Sequence, residues 1–104
     1  MQISYQRTGG FAGMVMSFVV QTETLPPEDA NDLKNLVKAA GFFNLPSRIV
    51  SDGPARDQFQ YQVAITAEGQ QHTVEVGDAA VPDSLWPLLE KLRILSRTTN
   101  NNQP

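Results

Sequence analysis

From Ile3 to Arg7 apolar and polar residues alternate, with Ile3 and Tyr5 on one side and Ser4 and Gln6 on the other. That period of two predicts a half-buried strand. Met14 to Gln21, MVMSFVVQ, is apolar on both sides and rich in β-branched residues, so it reads as a second and more central strand. The stretch between them, RTGGFAGM, is glycine-rich and makes the pair a hairpin with a longer loop than the tight two-residue type. The period then lengthens. Leu33, Leu36, Val37 and Ala40 form one helical stripe, with Pro26 and Pro27 suited to the first turn, Glu28, Asp29 and Asp32 at the positive end of the dipole, and Gly41 as the stop. Phe42, Phe43 and Leu45 follow, expected to pack back beneath that helix.

After an aperiodic stretch, LPSRIVSDGPARDQ, the period of two returns. Phe59, Tyr61, Val63 and Ile65 alternate with Gln60, Gln62, Ala64 and Thr66; AEGQQ turns the chain, and His72, Val74 and Val76 share one side of the next strand. Leu85, Leu88, Leu89, Leu92 and Leu95 mark a final helix with Pro87 in its first turn, and SRTTNNNQP reads as a polar, frayed tail. The expected fold is α+β, in the order ββαββα: a four-stranded, mainly antiparallel sheet covered by two helices. Residues 1–96 form one domain and 97–104 the tail. If the first helix runs antiparallel to the strands beside it, the GGFAG loop and the Ser47–Gln58 loop lie at the same end of the molecule, with the EGQQ turn at the other. The order of the strands stays open.

Composition removes whole classes of function. The chain has 104 residues, 8 Lys+Arg against 11 Asp+Glu, a net charge of -3 and no cysteine. No cluster of cations is present to hold nucleic acid or an anionic membrane, and disulfides and thiolate zinc sites are excluded. MQISYQR lacks the basic and apolar regions of a secretory leader, and no apolar run is long enough to cross a bilayer; the expected location is the cytoplasm.

Candidate catalytic chemistry is equally sparse. His72 is the only histidine and sits in strand pattern, as expected of a partly buried structural side chain rather than a base. No serine lies in a nucleophile elbow. TGGFAG has neither a following helix nor a lysine to cradle phosphate. SDGPARD holds two carboxylates without the bidentate glutamate of a calcium loop. No cofactor or resident metal is therefore expected. Trp86 reads equally as an interface anchor or as a core or rim residue, and the leucines of the last helix as core.

Phe11 stands apart, because a turn has no need of a phenylalanine. It is either a lid folded back on its own core or a ring offered to a cleft in a partner, with glycines removing side chains around it. Beside a second loop carrying Asp52 and Asp57, it makes one half of a two-part binding surface. The residues alone lead to a binding module without an assigned partner.

ISYQRTGGFAG at the start, GFFNLP after the first helix, ARDQFQYQVAI and VPDSLWPLLEKL together resemble the emfourin family, over roughly Gln2 to Leu95. These are protein inhibitors of protealysin-like proteases, zinc metallopeptidases of the thermolysin family. The resemblance implies a non-enzymatic inhibitor that acts through two neighbouring loops; the free protein is expected to be a monomer. Gly9, Gly10, Phe11, Ala12, Gly13 and Met14 would meet the substrate pockets, and Asp52, Gly53, Arg56 and Asp57 would form the second contact. One aspartate would coordinate the protease's zinc: Asp57 has the better family match, and Asp52 lies nearer the loop tip. The rival from another class is an adaptor that binds a peptide, small molecule or protein through the same loops. A third reading is a structural or toxin-neutralising subunit that uses its last helix.

Overall fold

The computed structural model describes residues 1–9, 14–49, 59–77 and 80–101, with the backbone alone for Met14 and for 97–101. The strands are β1 (Gln2–Gly9), β2 (Met14–Gln21), β3 (Arg48–Ile49), β4 (Phe59–Ala67) and β5 (Gln70–Gly77), and the helices are α1 (Pro27–Ala40) and α2 (Trp86–Asn101). They form an α+β fold with one sheet in the order β2-β1-β4-β5-β3.

The sheet has five strands rather than the expected four; it is mainly antiparallel, as expected, with one parallel pairing that makes it mixed. The additional strand, β3, is two residues long and runs parallel to β5, within the stretch whose aperiodic sequence reads as loop. Two residues cannot display a period, so only the tertiary pairing defines this strand.

A second difference concerns β2. It is an edge strand, with Val15 60% and Val19 58% exposed, whereas β1 lies between β2 and β4. Only one face of this sheet carries helices. A central strand therefore needs only the alternation that β1 shows, and the valines of β2 reflect compatibility with a pleated surface rather than burial on both sides. The other face displays Gln6, Thr8, Gln60, Gln62 and Glu75.

On the covered face, Ile3 and Tyr5 of β1, Phe18 and Val20 of β2, Tyr61, Val63 and Ile65 of β4, and Val74 and Val76 of β5 are buried against the helices. From α1 come Leu33, Val37 and Ala40; Leu88, Leu89, Leu92 and Leu95 come from α2 and Leu85 from the residue before it. Pro27 opens α1, and Gly41 closes it in the left-handed conformation, φ 60°, its N–H donating to the carbonyls of Val37 and Lys38. Phe42 is buried, as its position after the helix suggests.

Neither helix runs along the strands. Thr22 N–H donates to the Met1 carbonyl at 2.9 Å, which puts the approach to α1 at the Met1 end of the sheet. Gly41 to Asn44 share a groove with Met1, Ala67 and Glu68 at that same end, so α1 lies across the strands. The chain then climbs beside β5: Leu45 accepts a 2.7 Å hydrogen bond from His72 Nε2, and Ser47 accepts one from Glu75 N–H. It is this climb, rather than α1, that returns the chain to the Gly9 end.

Helix α2 also crosses. Arg7 pairs with both Met16 and Tyr61, Tyr61 with Val76, and Val76 with Ile49, so one transverse row spans all five strands. Trp86 packs edge-on against Tyr61, with ring centres 6.2 Å apart, and Ser96 Oγ lies 3.8 Å from Met16 Sδ. The helix therefore follows that row and continues into the polar stretch as far as Asn101.

The two helices are linked by charge. Lys91 Nζ on α2 donates to Asp29 at 2.9 Å and Asp32 at 3.4 Å on α1, so carboxylates expected only to match the helix dipole also join the helices. The hydrogen bond to Asp29 is the main cause that raises the Lys91 pKa above the ordinary lysine value. A raised folded-state pKa means that the contribution is fully present below the unfolded lysine value, about 10.4, and is lost as pH rises through the folded one. Lys91→Met is expected to cost about 0.5–1 kcal/mol at pH 7, because both carboxylates remain in contact with water. Chemical denaturation at pH 7 and above pH 11 checks this: the wild-type advantage should shrink at the higher pH.

Candidate functional site

The end of the sheet beyond the α2 row is built from one short register. Gly9 pairs with Met14 on one side and with Phe59 on the other, so Phe59, Gly9 and Met14 form the last row of three strands. The first glycine-rich loop leaves from Gly9 and returns at Met14. The second long loop leaves β3 at Ile49, in the row just below α2, and returns at Phe59. Both loops are thus rooted at the same end, as the sequence predicts, although by a different route of the chain.

Gly9 has φ 100°, a backbone conformation that a side chain would strain. Gly10, Phe11, Ala12, Gly13, Asp52, Gly53, Arg56 and Asp57 lie outside the described residues. Of the expected contact residues, Gly9 is described in full and Met14 by its backbone.

Beneath the loop roots lies an aromatic floor. Tyr5 and Tyr61 stack with centres 6.3 Å apart, and Trp86 meets Tyr61 edge-on. Trp86 is half-buried at the margin of the core, in keeping with the core-or-rim alternative. The Tyr5 hydroxyl is buried without a hydrogen-bond partner among the described residues, and burial raises its pKa. A phenol in that setting stays neutral and has no route to act as a base.

Above the floor, Arg7 lies over the ring of Phe59, 4.6 Å from guanidinium carbon to ring centre, and Phe59 is 36% exposed. Neither residue stands out in the sequence. The available signal is positional, since each falls on the covered side of its strand near the end, Arg7 in the row that α2 follows and Phe59 one step beyond it.

The rest of the described surface offers no competing centre. His72 is half-buried, bonded to Leu45 and edge-on to Phe42, and so pins the segment after α1 to β5. A carbonyl can only accept, so Nε2 carries the proton in that hydrogen bond. Among the described residues, no three His, Cys, Asp or Glu side chains gather to hold a metal, and no helix is long and apolar enough to cross a membrane. A groove of about 600 Å³ lies at the Met1 end, away from the loops, with Lys34, Lys38 and Glu68 around Val37 and Phe43.

Comparison with known proteins gives a concordant result. No curated protein and no solved structure matches the chain. A family model described as Emfourin matches residues 5–93, from the covered core of β1 to the middle of α2, and so takes in both loop roots and the floor beneath them. The chain belongs to the Emfourin family.

Proposed function

We propose that the protein inhibits a zinc metallopeptidase of the thermolysin family, protealysin-like in kind, by placing two adjacent loops in its active-site cleft. The family is one of protease inhibitors, which supports inhibition as the function class and a protease as partner. The observation that carries the finer reading is the shared row Phe59–Gly9–Met14, which roots both loops side by side.

In this reading Phe11 fills an apolar subsite, and Asp57, or Asp52 in its place, binds the protease's zinc. A catalytic zinc keeps one position for water, and a carboxylate oxygen can occupy it at about 2.0–2.2 Å. At neutral pH the carboxylate is already ionised, so ligation releases no proton. Gly9, Gly10 and Gly13 let the first loop enter a cleft without offering an extended, cleavable segment. The protein acts as a plug, one monomer to one protease, and is not itself an enzyme.

Titration of thermolysin and of a protealysin-like protease at fixed enzyme concentration tests the reading. Stoichiometric loss of activity with the inhibitor recovered intact is expected; activity unaffected by excess protein would remove it. Phe11→Ala should weaken inhibition about ten- to a hundredfold, the range for burying one large apolar side chain, with an unchanged circular dichroism spectrum. An unchanged inhibition constant in a folded variant would show that Phe11 does not enter the cleft.

A further inference from the structure

On the helix-facing side of the last row, Phe59 is flanked by Gly9, which has no side chain to cover it. The cover comes from the diagonal neighbour. Arg7 pairs directly with Tyr61, one step back on the same side, and reaches outward so that its guanidinium lies over the Phe59 ring at 4.6 Å. Diagonal neighbours across antiparallel strands lie within reach of long and aromatic side chains. Among the described residues the contact recorded for the Arg7 guanidinium is the face of the Phe59 ring.

The position of this pair gives it consequence. Arg7 is two residues before Gly9, where the first loop departs, and Phe59 is the residue at which the second loop ends. Tyr61 is held from below by Tyr5 and Trp86, whereas Phe59 lies one step beyond, past the α2 row and partly exposed. Beside the backbone pairing of Gly9 with Phe59, the Arg7 contact is a side-chain tie between the end of β4 and β1.

We infer that Arg7 is a positioning residue for the two-loop surface: by lying across Phe59 it joins the root of the first loop to the root of the second and fixes their spacing before a protease binds. The inference rests on the inhibitor reading above and deepens it. A surface whose two parts are already correctly spaced loses less conformational freedom on binding, so the pair acts on affinity through preorganisation. Arginine suits this better than lysine because its flat guanidinium can lie parallel to a ring.

The test combines inhibition constants with a measurement that needs no protease. Arg7→Ala and Phe59→Leu should each weaken inhibition about fivefold, as expected for loss of a partly exposed cation–ring contact. The double variant should be no weaker than the more damaged single one. Arg7→Lys should recover part of the loss, and Arg7→Met, which keeps the stem without the charge, should not. In the free protein, nitrogen-15 relaxation should show increased motion in Arg7→Ala at the amides from Gly9 to Met14 and at Phe59.

Additive losses in the double variant would identify two independent contacts and overturn the positioning role. So would full activity of Arg7→Met, or unchanged relaxation in Arg7→Ala. If the wild-type protein inhibits neither protease, it is the inhibitor reading that fails, and relaxation alone decides whether Arg7 holds the loop roots together.

Discussion

Asp57→Asn should weaken inhibition of a thermolysin-family protease by at least about a hundredfold, with Asp52→Asn remaining close to wild type. Asparagine matches aspartate in size but carries no charge, so it removes an anionic zinc ligand without opening a gap. Loss of one member of a desolvated charge pair costs about 2–5 kcal/mol, and each 1.4 kcal/mol is a factor of ten in affinity. Because asparagine keeps the size and shape of aspartate, both variants should fold with stabilities within about 0.5 kcal/mol of wild type. Inhibition constants paired with thermal melts check both halves. A large effect at Asp52 instead would keep the two-loop mechanism and shift the ligand toward the loop tip. Two variants that inhibit like wild type would eliminate zinc ligation by this loop.

Leu92→Ala should destabilise the protein by about 3 kcal/mol and lower its melting temperature by about 10–20 °C. Leu92 has no exposed surface and belongs to the α2 stripe that lies across the sheet. Truncation removes transfer free energy and leaves a cavity that a transverse helix, held by contacts on several strands, can only partly close. Val15→Thr, by contrast, keeps β-branching at an exposed edge position and should change stability by less than about 0.5 kcal/mol. Denaturant unfolding of the two variants decides the matter. A loss below 1 kcal/mol at Leu92 would mean that the α2 leucines serve a partner rather than the protein's own core.

Most of the elements were legible because each has its own local period. The alternation of Tyr61, Val63 and Ile65 gave β4, the spacing of Leu85 to Leu95 gave α2, and Gly41 stopped α1 with the left-handed turn that glycine favours. β3 was not legible, because a two-residue strand parallel to β5 exists only through its partner. The placement of β2 misled for a related reason. Apolar residues on both sides suggest burial on both sides, yet the helices cover one face only, leaving Val15 and Val19 at an open edge.

The candidate site divides in the same way. Glycines around a phenylalanine, and a second loop bearing two aspartates, could be read from residue types alone, because unusual composition needs no partner to be noticed. Arg7 and Phe59 could not, since an arginine near one strand's end and a phenylalanine at the start of another are ordinary until a register brings them together.

The sequence by itself determined which of the longer segments are strands and helices, which side of each is apolar, and which two loops are chemically unusual. These are properties of neighbours along the chain, fixed by periodicity and by backbone preferences over a few residues. The tertiary structure alone decided the strand order, the crossing of both helices, the path that climbs beside β5, and the common row that roots the two loops. Those depend on pairings between residues far apart in sequence, for which local propensity carries no preference and the burial of one shared core does.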